Sequence, residues 1–282
     1  MVCFNVFGLS FLPFMICALA VTSAYPAPRH GKMSITRDDG SGQVIVSWTG
    51  KGVLKQASGT DGRFRPVRAH GNSYAVAPTD EQAVFQLEGG PVVSVNVVGY
   101  VNLSLPPGLS LIANPLYYTN NTVSFWWPNA PDGAQVLKYI PEVGYVVSTF
   151  DALDGAWSDP TFEIGIGQGF FFRNTSSETI TQTFIGEVLQ GTLVNHLPAG
   201  LSMKGALVPQ AGSINSLQQI PGQDGDEIKF YVNDGAGGGD YILSIYSAAD
   251  GGWTPDLILG VGQGFWIEKQ QAQDWVRVFS VN

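Results

Sequence analysis

Cysteine, histidine and charge are all scarce in this 282-residue chain, and each scarcity excludes something. The two cysteines, Cys3 and Cys17, lie near the start, and none follows. Beyond them, disulfide staples, thiol nucleophiles and cysteine metal sites are excluded, so the remainder holds together by packing alone. Only three histidines occur, His30, His70 and His196. None has metal-ligand spacing with another, and no Gly-x-Ser-x-Gly elbow accompanies them. Charged residues make up 13% of the chain and form no long run of one sign. The net charge of −9 is unevenly spread: residues 29–88 hold 8 Lys/Arg against 6 Asp/Glu, and residues 89–282 hold 6 against 17. An acidic surface of that kind repels phosphate backbones, which argues against nucleic acid as a partner.

Glycine (35 residues) and aromatic side chains (12%) are abundant instead. That composition suits short strands and many turns, and it predicts an all-β fold. Residues 1–24 are apolar from Val2 to Val21 and end in small residues, the pattern of a secretory signal cut after Ala24 or Ala20. No Lys or Arg precedes the apolar run, so an uncleaved anchor is the alternative. Residues 25–32 form a leader, and no later segment is long and apolar enough to span a membrane. The expected location is therefore secreted, extracellular or cell-surface, with the periplasm also open.

Residues 33–88 alternate apolar and polar positions. Val44, Val46 and Trp48 fall on one face of a strand, after an Asp38–Gly42 turn. Further strands are expected at 52–56, 64–67, 73–76 and 83–87, which together predict a small β-sandwich or barrel.

From residue 95 to the end, one pattern is written twice. LPPGLSLIANPL (105–116) returns as LPAGLSMKGALV (197–208), and GIGQGFF (165–171) returns as GVGQGFW (260–266). Asp132-Gly133, Asp154-Gly155 and Trp157 have partners in Asp224-Gly225, Asp250-Gly251 and Trp253. Such internal repetition predicts two tandem homologous β-domains, 95–186 and 187–282. Each is expected to carry one short helix, capped near Asn120/Asn121 and at Ser213 and ended by Pro128 and Pro221. The segment Asp234–Asp240 lengthens one loop of the second copy, where an insertion costs little.

Few residues invite a chemical role. The GxGQG segments lack the following helix that a phosphate loop needs, so they are expected to turn the chain into a core strand. Trp126 and Trp127 are the candidate ligand-binding residues, either as an aromatic platform for a sugar ring or, on the blander reading, as core filling. The aspartates at Asp132, Asp154, Asp224 and Asp250 each precede glycine, where aspartate ordinarily makes a turn. Asp38–Gly42 and Asp234–Asp240 depart from known calcium-loop spacing. No metal or other cofactor is called for. Arg63, Arg65, Arg68 and His70 form the one basic cluster, expected to face either an acidic polymer or, preferably, the acidic repeats.

The segments Leu105–Pro115, Asp132-Gly133, Gly155-Ala-Trp157 and Gly165–Phe171 resemble a module of uncharacterised secreted bacterial proteins, notably those of Verrucomicrobia. The Val44–Trp48 strand, Gly52-Val-Leu54, Gly62-Arg-Phe64 and Phe85-Gln-Leu87 resemble a small β-domain common in the same secretomes. The resemblance implies a secreted β-protein and brings no catalytic residues with it. Lys204-Gly-Ala-Leu207 departs from the module by losing its Asn-Pro. The expectation is a non-catalytic surface or matrix protein for display, adhesion or association, with a polysaccharide or a cell-surface protein as partner. A carbohydrate-binding protein using Trp126 and Trp127 is the alternative, and a glycoside hydrolase with paired carboxylates the third reading.

Overall fold

The computed structural model describes residues 31–89, 96–235 and 238–281. The signal segment, almost all of the leader and the middle of the 234–240 loop therefore lie outside the described residues. The first strands are β1 (Met33–Arg37), β2 (Val44–Trp48), β3 (Val53–Ala57), β4 (Arg65–Pro66), β5 (Ser73–Val76) and β6 (Gln82–Glu88). Then come β7 (Val97–Leu105), β8 (Gly108–Ala113), the single-turn helix α1 (Val123–Trp126), β9 (Gln135–Ile140), β10 (Gly144–Asp151), β11 (Ala156–Trp157), β12 (Gly169–Asn174) and β13 (Ile180–Val188). The last group is β14 (Gly191–Leu197), β15 (Gly200–Gly205), β16 (Gly212–Ser213), β17 (Glu227–Asn233), β18 (Gly239–Ser247), β19 (Gly252–Thr254), β20 (Ile258–Leu259), β21 (Gly264–Lys269) and β22 (Gln273–Phe279). The fold is all-β, and among the described residues no helix is long and apolar enough to cross a membrane.

The two segments that share the pattern build separate sheets of like strand order. The order is β11-β10-β9-β12-β8 in the first and β19-β18-β17-β21-β15 in the second. In each, the opening strand pairs antiparallel with the closing one, β7 with β13 and β14 with β22. The loops agree as well. Gly165 N donates to the Gln168 side-chain oxygen at 3.0 Å, and Gly260 N to that of Gln263 at 2.8 Å.

The first stretch does not close on itself as a separate sandwich. Strand β6 pairs with β7, so β4, β3 and β6 continue the β7–β13 pair into one five-stranded sheet. The three-stranded sheet β1-β2-β5 covers it, and a single apolar core runs from Met33, Val46 and Trp48 to Phe172 and Phe184. A stretch of about 60 residues buries too little surface to be comfortably stable alone, and sharing a sheet supplies what it lacks. In the second half β14 and β22 stand as a two-stranded sheet.

The helices differ from expectation. In α1, Trp126 N and Trp127 N bond to Thr122 O and Val123 O, two successive helical bonds. The N-cap is Thr122, without a side-chain capping bond, rather than Asn120 or Asn121. In the second half Ser213 does cap, its hydroxyl accepting from Ser216 N at 2.9 Å. Only Leu217 N then closes a helical bond, to Ser213 O; Gln218 N bonds to that same carbonyl, so the chain turns and no second helix forms.

Candidate functional site

The runs of large residues after each GxGQG motif are buried on both sides, which is why they do not alternate in polarity. In β12, Phe170 and Phe172 join the main core, and Phe171 points the other way. In β21, Phe265 and Ile267 enter the second core, and Trp266 points outward from it. The outward residues meet: Leu111, Phe171, Met203 and Trp266 form a cluster between the halves.

This seam is reciprocal. A backbone bridge joins Ile112 to Gln263, and the corresponding bridge joins Lys204 to Gln168. Ala113 N donates to Gly262 O at 2.9 Å, and Gly205 N to Gly167 O at 3.0 Å. The Tyr139 ring lies 5.1 Å from that of Trp266, edge to face, and Tyr231 lies 5.2 Å from Phe171 in the same manner. Residues i and j of one half thus meet j and i of the other, as at a two-fold interface between subunits. The motif glycines permit this approach. A Cβ at Gly169 would stand 2.8 Å from the backbone N and O of Lys204, and one at Gly264 would stand 2.7 Å from Ile112 O. Gly167 (φ +74°) and Gly262 (φ +69°) also adopt backbone angles that disfavour any side chain.

A cleft opens at each end of the seam. The larger, about 550 Å3, lies where all three stretches of chain meet. Glu81 and Gln82 supply one wall, Ser104 and Ser110 another, and Tyr231 and Gln263 the third, with Leu103, Pro106 and Val261 as partly exposed apolar lining. The wall is fixed from behind, since Asn102 donates to Pro78 O and Asp80 O at 2.7 Å and accepts from Thr183 at 2.6 Å. The Gln82 side-chain oxygen is shut off from solvent and has no hydrogen-bond donor among the described residues. The smaller cleft, about 270 Å3, is its counterpart, with Lys138, Lys204, Tyr139 and Gln168 in the lining. Burial pushes both lysines below the usual ammonium range, since a charge there loses hydration. Desolvation likewise raises Tyr231 and Tyr145 above the ordinary phenol range, with neighbouring Tyr241 adding to it in each case.

The sequence candidates fall elsewhere. Trp126 and Trp127 are 1% and 4% exposed, so neither offers a ring face to a sugar. Trp127 stacks on Phe172 at 4.8 Å, and Trp126 meets the Phe184 ring edge to face at 4.9 Å. Two adjacent tryptophans at the end of a one-turn helix close the core between α1 and β13. Trp126→Ala should therefore lower stability by about 3–5 kcal/mol, the usual cost of emptying a core site of that size, as read by urea unfolding.

Arg63, Arg65, Arg68 and His70 are exposed, and among the described residues none forms an ion pair or a side-chain hydrogen bond with the acidic segments. Arg63 and Arg65 line an open groove of about 430 Å3. His196 Nδ1 lies 2.8 Å from Asp274 on the surface. Asp38 caps its own turn, accepting from the Ser41 hydroxyl and Gly40 N, and these bonds lower its pKa from the usual carboxylate value. No group of three or more metal-ligating side chains is found among the described residues. The larger cleft is lined by a single carboxylate, Glu81, whereas paired-carboxylate hydrolysis needs two facing each other.

Motif reading missed the cleft and the seam. Their signal was the recurrence of the GxGQG pattern: both segments carry the same glycines, and a glycine motif with no helix after it leaves room for a close neighbour. Comparison of the chain with family models, with curated proteins and with solved structures returns no match.

Proposed function

We propose that this is a secreted, non-catalytic surface or matrix protein that works by association with other polypeptides. The observation that carries the reading is a pair of open, apolar strand edges. Strand β10 pairs with β11 only at Phe150 and Asp151, and β18 pairs with β19 only at Ile245, Tyr246 and Ser247. The leading portions of both strands have no strand on their outer side among the described residues. They are also apolar: Tyr145 on β10 and Tyr241, Ile242 and Leu243 on β18 are each more than 40% exposed, and Val143, in the turn that leads into β10, is 72% exposed.

Proteins that stay apart usually guard such edges with lysine, proline or a bulge. Here β10 and β18 carry no lysine and no proline, and Asp240 is the one charge on either leading portion. An edge of this kind accepts a strand from a partner, with backbone bonds giving affinity and exposed side chains giving selectivity. The two edges are alike, and their position beside the seam gives one molecule two docking strands. Duplication of a module resembling those of secreted bacterial proteins fits this arrangement, because copying the module copies the edge.

Sedimentation of the purified protein, together with its retention on the producing cell's surface, tests the reading. Concentration-dependent association or surface retention is expected, and Val147→Lys with Leu243→Lys should weaken it by about tenfold or more, since a charge on each edge opposes pairing. A monomer at all concentrations that is also released freely from cells would refute it.

A further inference from the structure

We infer that the larger cleft at the meeting point of the three chain segments is a binding site for a neutral oligosaccharide. This stands apart from the strand edges and rests on different residues.

The cleft volume of about 550 Å3 suits one small ligand. Its unengaged groups are hydroxyls, an amide and a single carboxylate. Among the described residues Glu81 has no ion pair, and the Ser104 and Ser110 hydroxyls have no bonded partner. Gln263 spends its side-chain oxygen on Gly260 N, which fixes the group and leaves its amide end to donate. These donors and acceptors share the lining with Leu103, Pro106, Val261 and the half-buried ring of Tyr231.

A ligand that satisfies hydroxyls, an amide and a carboxylate while covering apolar side chains must itself alternate hydroxyls with C–H faces. A pyranose ring does so. One carboxylate and no cation in the lining disfavour phosphate, sulfate and uronate. The counterpart cleft, with Lys138 and Lys204 and no carboxylate, has the opposite character, so the two ends of the seam are not equivalent. The acidic wall comes from the first stretch of chain, which has no counterpart at the other end. The polar groups sit on or beside paired strands and not on a long loop, so they are held in place before the ligand arrives.

The test uses the purified protein and named probes: linear hexasaccharides of glucose (β-1,4 and β-1,3), xylose and mannose, with polygalacturonate as the anionic comparison. Titration calorimetry should show at least one neutral probe binding in the micromolar-to-millimolar range. Glu81→Lys and Ser104→Arg, both at exposed positions, should each weaken it by about tenfold or more, while Val147→Lys at the strand edge leaves it unchanged. Failure of every neutral probe up to millimolar concentration, preference for polygalacturonate, or binding unaffected by Glu81→Lys would each overturn the assignment. None of these outcomes bears on association through the strand edges.

Discussion

Asp226→Ala should destabilise the protein by about 3–5 kcal/mol, because it strands a lysine ammonium in the interior. Asp226 and Lys269 form an ion pair with both side chains fully buried. The pair is well connected: Lys269 Nζ also donates to Pro221 O at 3.0 Å and to the Gln273 side chain, while Asp226 accepts from Gln223 N and Gln270 N at 2.7 Å. Removing one partner leaves the other without its countercharge, whereas removing both leaves no charge to desolvate. Asp226→Ala/Lys269→Met should therefore recover at least about 1 kcal/mol of the loss. The first half shows that the fold tolerates the neutral arrangement. There Ala134 and Asn174 occupy the corresponding places, and Asn174 donates to Leu105 O and Glu178 O. Chemical unfolding of the single and double variants is the measurement. Equal stability of the double and the Asp226→Ala variant would show that the stranded charge is not the cause.

Gly169→Ala and Gly264→Ala should each cost about 1–3 kcal/mol, since overpacking against backbone cannot be relieved by a side-chain rotation. At both positions the new methyl would meet main-chain atoms of the opposite half, not of its own. Because the seam is reciprocal, the two substitutions should resemble each other in size. Gly155→Ala serves as the comparison. A Cβ there meets nothing within 4 Å, so its penalty comes only from the positive φ of +62°. If the glycines served only to turn the chain, all three variants would behave alike; a larger loss at Gly169 and Gly264 marks contact between halves. Hydrogen exchange at Ala113 N and Gly205 N, which bond across the seam, should accelerate in both seam variants.

Much of the architecture was legible in local pattern. Val44, Val46 and Trp48 are the buried face of β2, as their alternation requires. The strand at 73–76 has the expected bounds. Turns fall at the Asp-Gly pairs, where Asp132 and Asp224 accept from Ala152 N and Ala248 N as part of the same corner in both halves. The tryptophan pair was ambiguous, because adjacent large aromatics are used both to fill cores and to hold ligands, and burial alone separates the two. The Asp226–Lys269 pair belongs to no motif. Its one trace is that both residues replace neutral ones of the first copy, in a chain where charge is otherwise rare.

Local chemistry alone dictates that the chain is β-rich, that glycine and aspartate mark its corners, and that two segments share one pattern. These properties rest on φ preferences and side-chain periodicity, which act over a few residues and need no partner. Three outcomes had to await the assembled molecule: the first strands extend a sheet of the second segment, the GxGQG glycines admit the opposite half, and a cleft forms where three segments meet. Each depends on which surfaces remain uncovered once every strand has paired locally. That is a property of distances between residues far apart in the chain.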